Sequence, residues 1–461
     1  MHWAASPPRV NFAADRPAAR LPRLEFATSA IVLSAWLIAA PAVAENPGSG
    51  SQRWAIHGQT TFLTQGVGAF HSPYSGSNSL TPHQVKETFD ATLYAGFRPW
   101  AGAELWINPE IDQGFGLSNT LGAAGFPSGE AYKVGKSDPY AKLPRWFLRQ
   151  TIKLGGNGEK VESDLNQIAG RQTANRLVVT LGKFSVVDLF DTNDQAHDPR
   201  TDFMNWTVID AGTFDYAANA WGYTYGAAAE LYEGQWTARG GFFALSDVPN
   251  SAKLDSSFDQ YELDGEIEHR HSISGWPGRL KFTVFVNHGR MGRFNDAIRL
   301  AETNGQPADI GAVRAIRNRT GVSFNLEQQV SNAVSFFVKS GLANGAIEPY
   351  EFTDVDRTIS GGVTVKGRAW GRPDDRIGVA GVVNAISQVH KRFLDAGGLG
   401  ILVGDGRLPH PGPEEIIEAY YDCQALKGVY LSGDYQFIAN PGYNRDRGPA
   451  SVLGMRLHGE F

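Results

Sequence analysis

The sequence has almost no cysteine: Cys423 stands alone among 461 residues. A single cysteine closes no internal disulfide, and this one lies far from the N-terminus, so it is no lipoprotein anchor. Positive charge is also short, with 42 Lys and Arg against 48 Asp and Glu. That balance excludes the broad basic face that nucleic acid requires. Beyond residue 44 no stretch approaches 18 consecutive apolar residues, so no membrane-crossing helix is expected. Motifs of covalent chemistry are missing too: there is no G-x-S-x-G, H-E-x-x-H or Walker-type loop. "GGNGEK" (155–160) is rich in glycine but forms no phosphate-binding loop. "GVAGVVNA" (378–385) lacks the helix and acidic partner of a dinucleotide fold. The expected class is therefore not an enzyme, and no cofactor is implied. An envelope hydrolase and a secreted sugar-binding module remain as weaker alternatives.

The one long apolar run is "ATSAIVLSAWLIAAPAVAEN", preceded by Arg9, Arg16, Arg20 and Arg23. It ends on Ala42-Val43-Ala44, the small-x-small pattern of a secretory signal cleaved between Ala44 and Glu45. The expected division is a signal peptide over 1–44 and one mature domain over 45–461. Cleavage removes those four arginines with Asp15 and Glu25, leaving 38 basic and 46 acidic residues, a net charge of −8. An exported chain of this length without disulfides fits a bacterial envelope.

What the sequence has in abundance is glycine, 53 residues, and aromatics, 11%. Both are distributed over a recurring pattern of about ten alternating residues followed by a Gly/Pro/Asn/Asp turn. In the last segment, Leu453, Met455, Leu457 and Phe461 share one face, while Arg456, His458 and Glu460 share the other. In "YELDGEIEHR", Tyr261, Leu263 and Ile267 oppose Glu262, Asp264, Glu266 and Glu268. Segments at 54–63, 89–98, 103–110, 145–154, 176–184, 221–231, 236–245, 280–287, 321–327, 333–340, 361–370, 377–385, 417–425 and 429–437 alternate in the same way. A soluble sandwich also alternates. Two features point instead to an all-β transmembrane antiparallel barrel: the polar phase is charged over many strands, and the apolar phase carries aromatics near strand ends, such as Trp54, Trp100, Tyr421, Tyr435 and Phe461. Helices are expected to be absent. A terminal Phe461 on a period-2 strand resembles the assembly signal read by the outer-membrane barrel assembly machinery. The long polar stretches 70–84, 114–140, 191–203, 289–315, 395–415 and 440–450 are expected as external loops, opposite short periplasmic turns.

One stretch concentrates the possible chemistry: "GKFSVVDLFDTNDQAHDPRTDFMNW", Gly182 to Trp206. Asp191, Asn193, Gln195, His197 and Asp202 fall at positions 1, 3, 5, 7 and 12 of a calcium loop, but the glycine such a loop needs is Ala196. A looser cation site from Asp191, Asp194, His197 and Asp198 is the metal alternative. The preferred reading is the wall of a solute path, where width, hydrogen-bonding groups and charge set selectivity. From inward phase and composition the candidate lining residues are Asp188, Asp191, Arg200, Asp202, Asn205, Trp206, Arg145, Arg149, Glu104, Glu110 and Glu262.

The blocks at 104–136, 181–206, 210–246 and 435–449, the second containing "LGKFSVVDLFDTNDQAHDPRTDFMNW" and the last "YQFIANPGYNRDRGP", resemble the OprB-type carbohydrate-selective porins. The resemblance spans nearly all of the mature chain. It implies a multi-pass outer-membrane barrel of 16 strands, with 18 as the alternative, through which glucose-type sugars diffuse passively past a constriction of loops, arginines, acids and aromatics. The same group leaves a manganese-selective porin on the same barrel as a second possibility. Porins of this type are monomers or trimers, and no residue here marks a trimer face.

Overall fold

The computed structural model describes residues 52–131 and 135–461; the apolar N-terminal segment and its Ala44–Glu45 junction lie outside the described residues. Sixteen strands form one closed barrel. The first eight are β1 (Trp54–Val67), β2 (Gln84–Phe97), β3 (Ala103–Gly114), β4 (Lys136–Val161), β5 (Gly170–Phe184), β6 (Thr224–Glu233), β7 (Trp236–Ala244) and β8 (Tyr261–Ile273). The remainder are β9 (Trp276–Met291), β10 (Ala315–Gln329), β11 (Val334–Ala343), β12 (Arg357–Lys366), β13 (Arg376–Ala385), β14 (Glu414–Leu426), β15 (Val429–Ala439) and β16 (Ala450–Glu460). Each alternating segment of the sequence overlaps one of them, although 361–370 runs past β12 into a 3-10 turn at Gly367–Trp370 and 221–231 starts three residues ahead of β6. Every strand pairs antiparallel with its chain neighbour, and β1 closes on β16 from Gln59↔Glu460 to Val67↔Val452. Closure removes every strand edge, which is what lets a sheet place its backbone polar groups in lipid.

Alternation places the two phases on opposite faces. On β8, Glu262, Asp264, Glu266 and Glu268 are buried inside, whereas Leu263 and Ile267 are exposed on the outer face. The outer face continues through Leu105, Ile107, Phe282, Ile359, Ile417, Leu453 and Met455. Trp54, Trp100, Trp236, Tyr421 and Tyr435 are exposed along it. The last residue helps to close the barrel: Phe461 exchanges backbone hydrogen bonds with Gly58. Its ring lies over that glycine, where a Cβ would meet it at 2.4 Å.

Both chain ends of the barrel and the short turns share one end, called the turn end below. The long connections 68–83, 115–135, 185–223, 245–260, 292–314, 344–356, 386–413 and 440–449 share the other, the loop end. The hairpin turn Ser274-Gly275 has φ of +52° and +87°, the left-handed pair that a two-residue turn requires.

The structure departs from the expectations in three places. "GGNGEK" extends the alternating segment 145–154: it lies within β4, whose register shifts at Lys153/Gly155 and Gly155/Gly158 let glycine bulges stay in the ladder. The connections 245–260 and 344–356 are loops that the alternation did not mark. α-Helices are present, among the described residues only in loop-end connections: α1 (Trp206–Ile209), α2 (Phe294–Asn304) and α3 (Gln388–Asp395). No helix among the described residues is long and apolar enough to cross a membrane.

The apolar core lies inside the barrel rather than beneath a sheet. Connections 115–131, 185–223 and 344–356 fold inward and bury Phe126, Phe190, Phe203, Trp206, Phe214, Tyr216 and Phe352. Trp206 stacks on Phe126 with centroids 5.1 Å apart and meets Phe352 and Tyr216 at 5.6 and 5.9 Å. The structure thus fills much of its loop end with folded chain.

Candidate functional site

The inward connection is held by the charged inner phase of the wall. Glu266 on β8 accepts the Asp191 N–H at 2.8 Å, and Glu327 on β10 accepts the Asp194 N–H at 2.6 Å. Glu418 on β14 accepts the N–H groups of both Met204 and Asn205. Cations clamp the carbonyls: Lys281 on β9 holds Thr192 O, Lys339 on β11 holds Ala196 O and Ile209 O, and Arg456 on β16 holds Pro199 O and Asp202 O. Residues 188–205 therefore touch wall strands from β4 round to β16 and cross the lumen as a belt. The physical reason is simple: a peptide segment inside a barrel has lost most of its water, so each N–H and C=O needs a partner. Charged wall residues supply them.

Beside β2–β4 the packed loops leave a small cleft, lined by Thr88, Phe89, Asp90, Asp112, Gln113, Gly114, Glu130, Gly135 and Tyr140. From it a line of charges descends along the wall. Lys142 Nζ sits 2.7 Å from Asp112 and 3.1 Å from Glu110. The cations of Lys142 and Arg145 both lie over the Tyr223 ring, at 5.6 and 4.9 Å. Arg145 then forms a bidentate pair with Asp188, at 2.6 and 2.8 Å. On the belt side Arg200 is 2.9 Å from Glu130, 3.4 Å from Asp90 and 3.6 Å from Asp198. Trp221 Nε1 donates to Tyr140 Oη at 3.1 Å. The result is a strip of paired carboxylates and cations edged by aromatic faces, between the β2–β4 wall and the folded loops.

The candidate residues fall into three groups. Asp188, Arg145, Arg200 and Glu110 come together in this strip. Asp191, Asn205 and Trp206 are buried, the first two with their polar groups committed: Asp191 accepts from Ala211 N–H and Asn325, and Asn205 donates to Gly125 O and Gln436. Asp202 is likewise buried and pairs with Arg376 at 2.6 Å; burial raises its carboxyl above the ordinary range, and the nearby Arg376 opposes that only in part. Glu262 is buried on β8, away from the strip. Arg149 and Glu104 lie toward the turn end, 3.7 Å apart.

The four residues of the cation alternative turn to separate partners. Asp194 pairs with Arg279, Asp198 with Arg200, His197 with Asp210 at 3.6 Å, and Asp191 with Asn325. Among the described residues no group of three or more His, Cys, Asp or Glu side chains is arranged to hold a metal ion. Burial would lower the His197 imidazole, but the Asp210 carboxylate outweighs it and raises the group above its usual value.

Sequence reasoning missed Asp90, Asp112, Glu130, Lys142 and Tyr223. Asp112 was within reach, because Glu104, Asn108, Glu110 and Asp112 share one phase. Lys142 and Glu130 were not: bulges at Asn108/Glu110 break the register opposite Lys142, and Glu130 comes from a loop.

A family model described as carbohydrate-selective porin, OprB family, matches residues 77–461. The chain belongs to the OprB family. As an OprB-family porin it is a membrane-embedded channel protein of the outer membrane rather than an enzyme. The high-pH structure of Pseudomonas putida OprB superposes with a TM-score of 0.66 at 16% identity, covering 89% of this chain and 94% of that one. The outer membrane channel DcaP of Acinetobacter baumannii superposes with a TM-score of 0.50 at 10% identity, covering 91% of this chain and all of that one. Both likenesses support the fold. No curated protein matches by sequence.

Proposed function

We propose that this OprB-family porin lets small neutral sugars of the glucose type diffuse passively across the outer membrane, along the strip between β2–β4 and the belt. The supporting observation is the ladder Asp112–Lys142–Glu110 followed by Arg145–Asp188, with the Tyr223 ring between them. Carboxylates accept from sugar hydroxyls, and Lys and Arg donate to them. Aromatic faces take the C–H side of the ring. Cations already paired with acids present a field without a net trap, so a neutral solute binds weakly and leaves, as conduction requires. In this reading the loop end faces outward and the turn end faces the periplasm. Export through cleavage between Ala44 and Glu45, insertion by the barrel assembly machinery through the Phe461 strand, and a monomeric or trimeric state belong to the same proposal.

Planar-bilayer recording tests it. Glucose added at millimolar levels should reduce the open-channel current, and Asp188→Asn with Arg145→Gln should change that block, while Mn²⁺ has little effect. Absence of channels from folded, heat-modifiable protein, or a current blocked by Mn²⁺ and indifferent to sugar, would overturn it.

A further inference from the structure

The turn-end connections are not alike. Five of them span two to five residues, whereas 162–169 spans eight and 367–375 nine. The longer of the two stays on the outer wall, where Trp370 is exposed and Arg372 reaches Cys423. The other turns into the barrel. Asn166 O accepts from Arg149 Nη1 at 2.8 Å, and Asn166 Oδ1 accepts from Asn108 Nδ2 at 2.9 Å. Ser163 Oγ lies 3.0 Å from His57 Nε2, and Arg98 donates to Ile168 O and Ala169 O. Asn166 takes a left-handed φ of +54°, which lets both its carbonyl and its amide face the wall. Ile168 is buried in the interior apolar cluster.

The place it reaches matters. Asn108 is the cross-strand partner of Arg145, and Arg145 holds Asp188 of the belt. The belt and this turn therefore arrive from opposite ends at neighbouring positions of one wall. On the sugar-passage reading, a solute that has passed Arg145–Asp188 would next meet Arg149 and the turn that covers the buried Asn108. A connection made only to join β4 and β5 would need two residues, as β8 and β9 show.

We propose that the inward-folded 162–169 turn is a second constriction on the same passage, with the Asn166 contacts to Asn108 and Arg149 setting the size of solute that leaves by the turn end. This rests on the sugar-passage reading above. It gives the channel two filters in series: one of paired charges at the belt and one of amides beside Arg149 at the turn.

The test uses the full-length barrel in bilayers of known orientation, with a size series of polyethylene glycols added to one side at a time. Two variants are compared with the wild type: replacement of residues 163–167 by Gly-Gly, and Asn166→Gly, which keeps the left-handed backbone. Heat-modifiability on gels verifies that each is folded. If the shortened turn does not fold, Asn166→Gly carries the comparison. The expected result is that larger polymers enter from the turn side of the variants and the open-channel conductance rises, while the loop-side cutoff does not change. An unchanged turn-side cutoff in a folded variant whose current still responds to glucose overturns the second constriction and leaves the sugar passage standing. Wild-type channels that ignore glucose overturn the sugar passage itself.

Discussion

In the first half of the 185–223 connection, Asp188, Asp194, His197 and Asp198 keep 26–58% of their side-chain surface exposed. In the second half, Asn205, Thr207, Thr213 and Asp215 are fully buried. Composition does not separate the halves, since both are rich in Asp and Asn and both are edged by aromatics. Position does. The second half lies where Glu418, Gln436, Arg319 and Asn287 meet it, and where Trp206 finds Phe126 and Phe352. It is the anchor, and Phe190 and Asp191 of the first half are buried with it; Asp188, Asp194, His197 and Asp198 are the edge that the anchor holds out into the lumen. A carboxylate in such a barrel therefore belongs to the solute path or to the scaffold according to what faces it.

The comparison can be broken most forcefully at Trp206. Trp206→Ala empties the centre of the buried aromatic group and should cost about 3–5 kcal/mol. The belt should loosen, seen as a lower unfolding temperature in detergent and a noisier, larger current. Asp191→Ala comes next. It leaves the Ala211 N–H without its acceptor, while the Asn325 amide keeps the Asp191 backbone carbonyl, at a cost of about 1–3 kcal/mol by thermal unfolding. Asp194→Ala should change stability by no more than about 1 kcal/mol, because its pair with Arg279 is half exposed, and should leave ion selectivity nearly unchanged in reversal-potential measurements. The smallest effect is a pH dependence. The folded value of His197 is raised, so its tie to Asp210 stabilises fully below the usual 6.5 and is lost as pH rises through the raised value. His197→Gln should flatten the unfolding temperature against pH in that window only. A pH profile identical to wild type would remove His197 from the account.

How much of this was legible in the sequence follows from how local each feature is. β8 and β16 show plainly because period-2 alternation is a property of neighbouring residues. The tail of β4 was hidden because Gly155, at φ +119°, and the bulges around it break the period. Loop 344–356 was hidden because its burial comes from tertiary packing, as where Tyr350 Oη donates to Ser246 O. The site divides in the same way. Phase alone placed Arg145 and Glu110 inward. The fate of Asp191 and Asn205 was set by Glu266, Asn325, Gln436 and Glu418, whose positions 75 to 231 residues further along the chain no local pattern reveals.

The central claim, that solute and current pass beside β2–β4, is tested most directly by thiol modification during recording. Single cysteines at Asp188 and at Asp194, each in a Cys423→Ser background, would be exposed to a bulky charged thiol reagent. The account predicts a large fall in open-channel current on modification at position 188 and a small one at position 194. Equal falls, or the larger fall at 194, would contradict it.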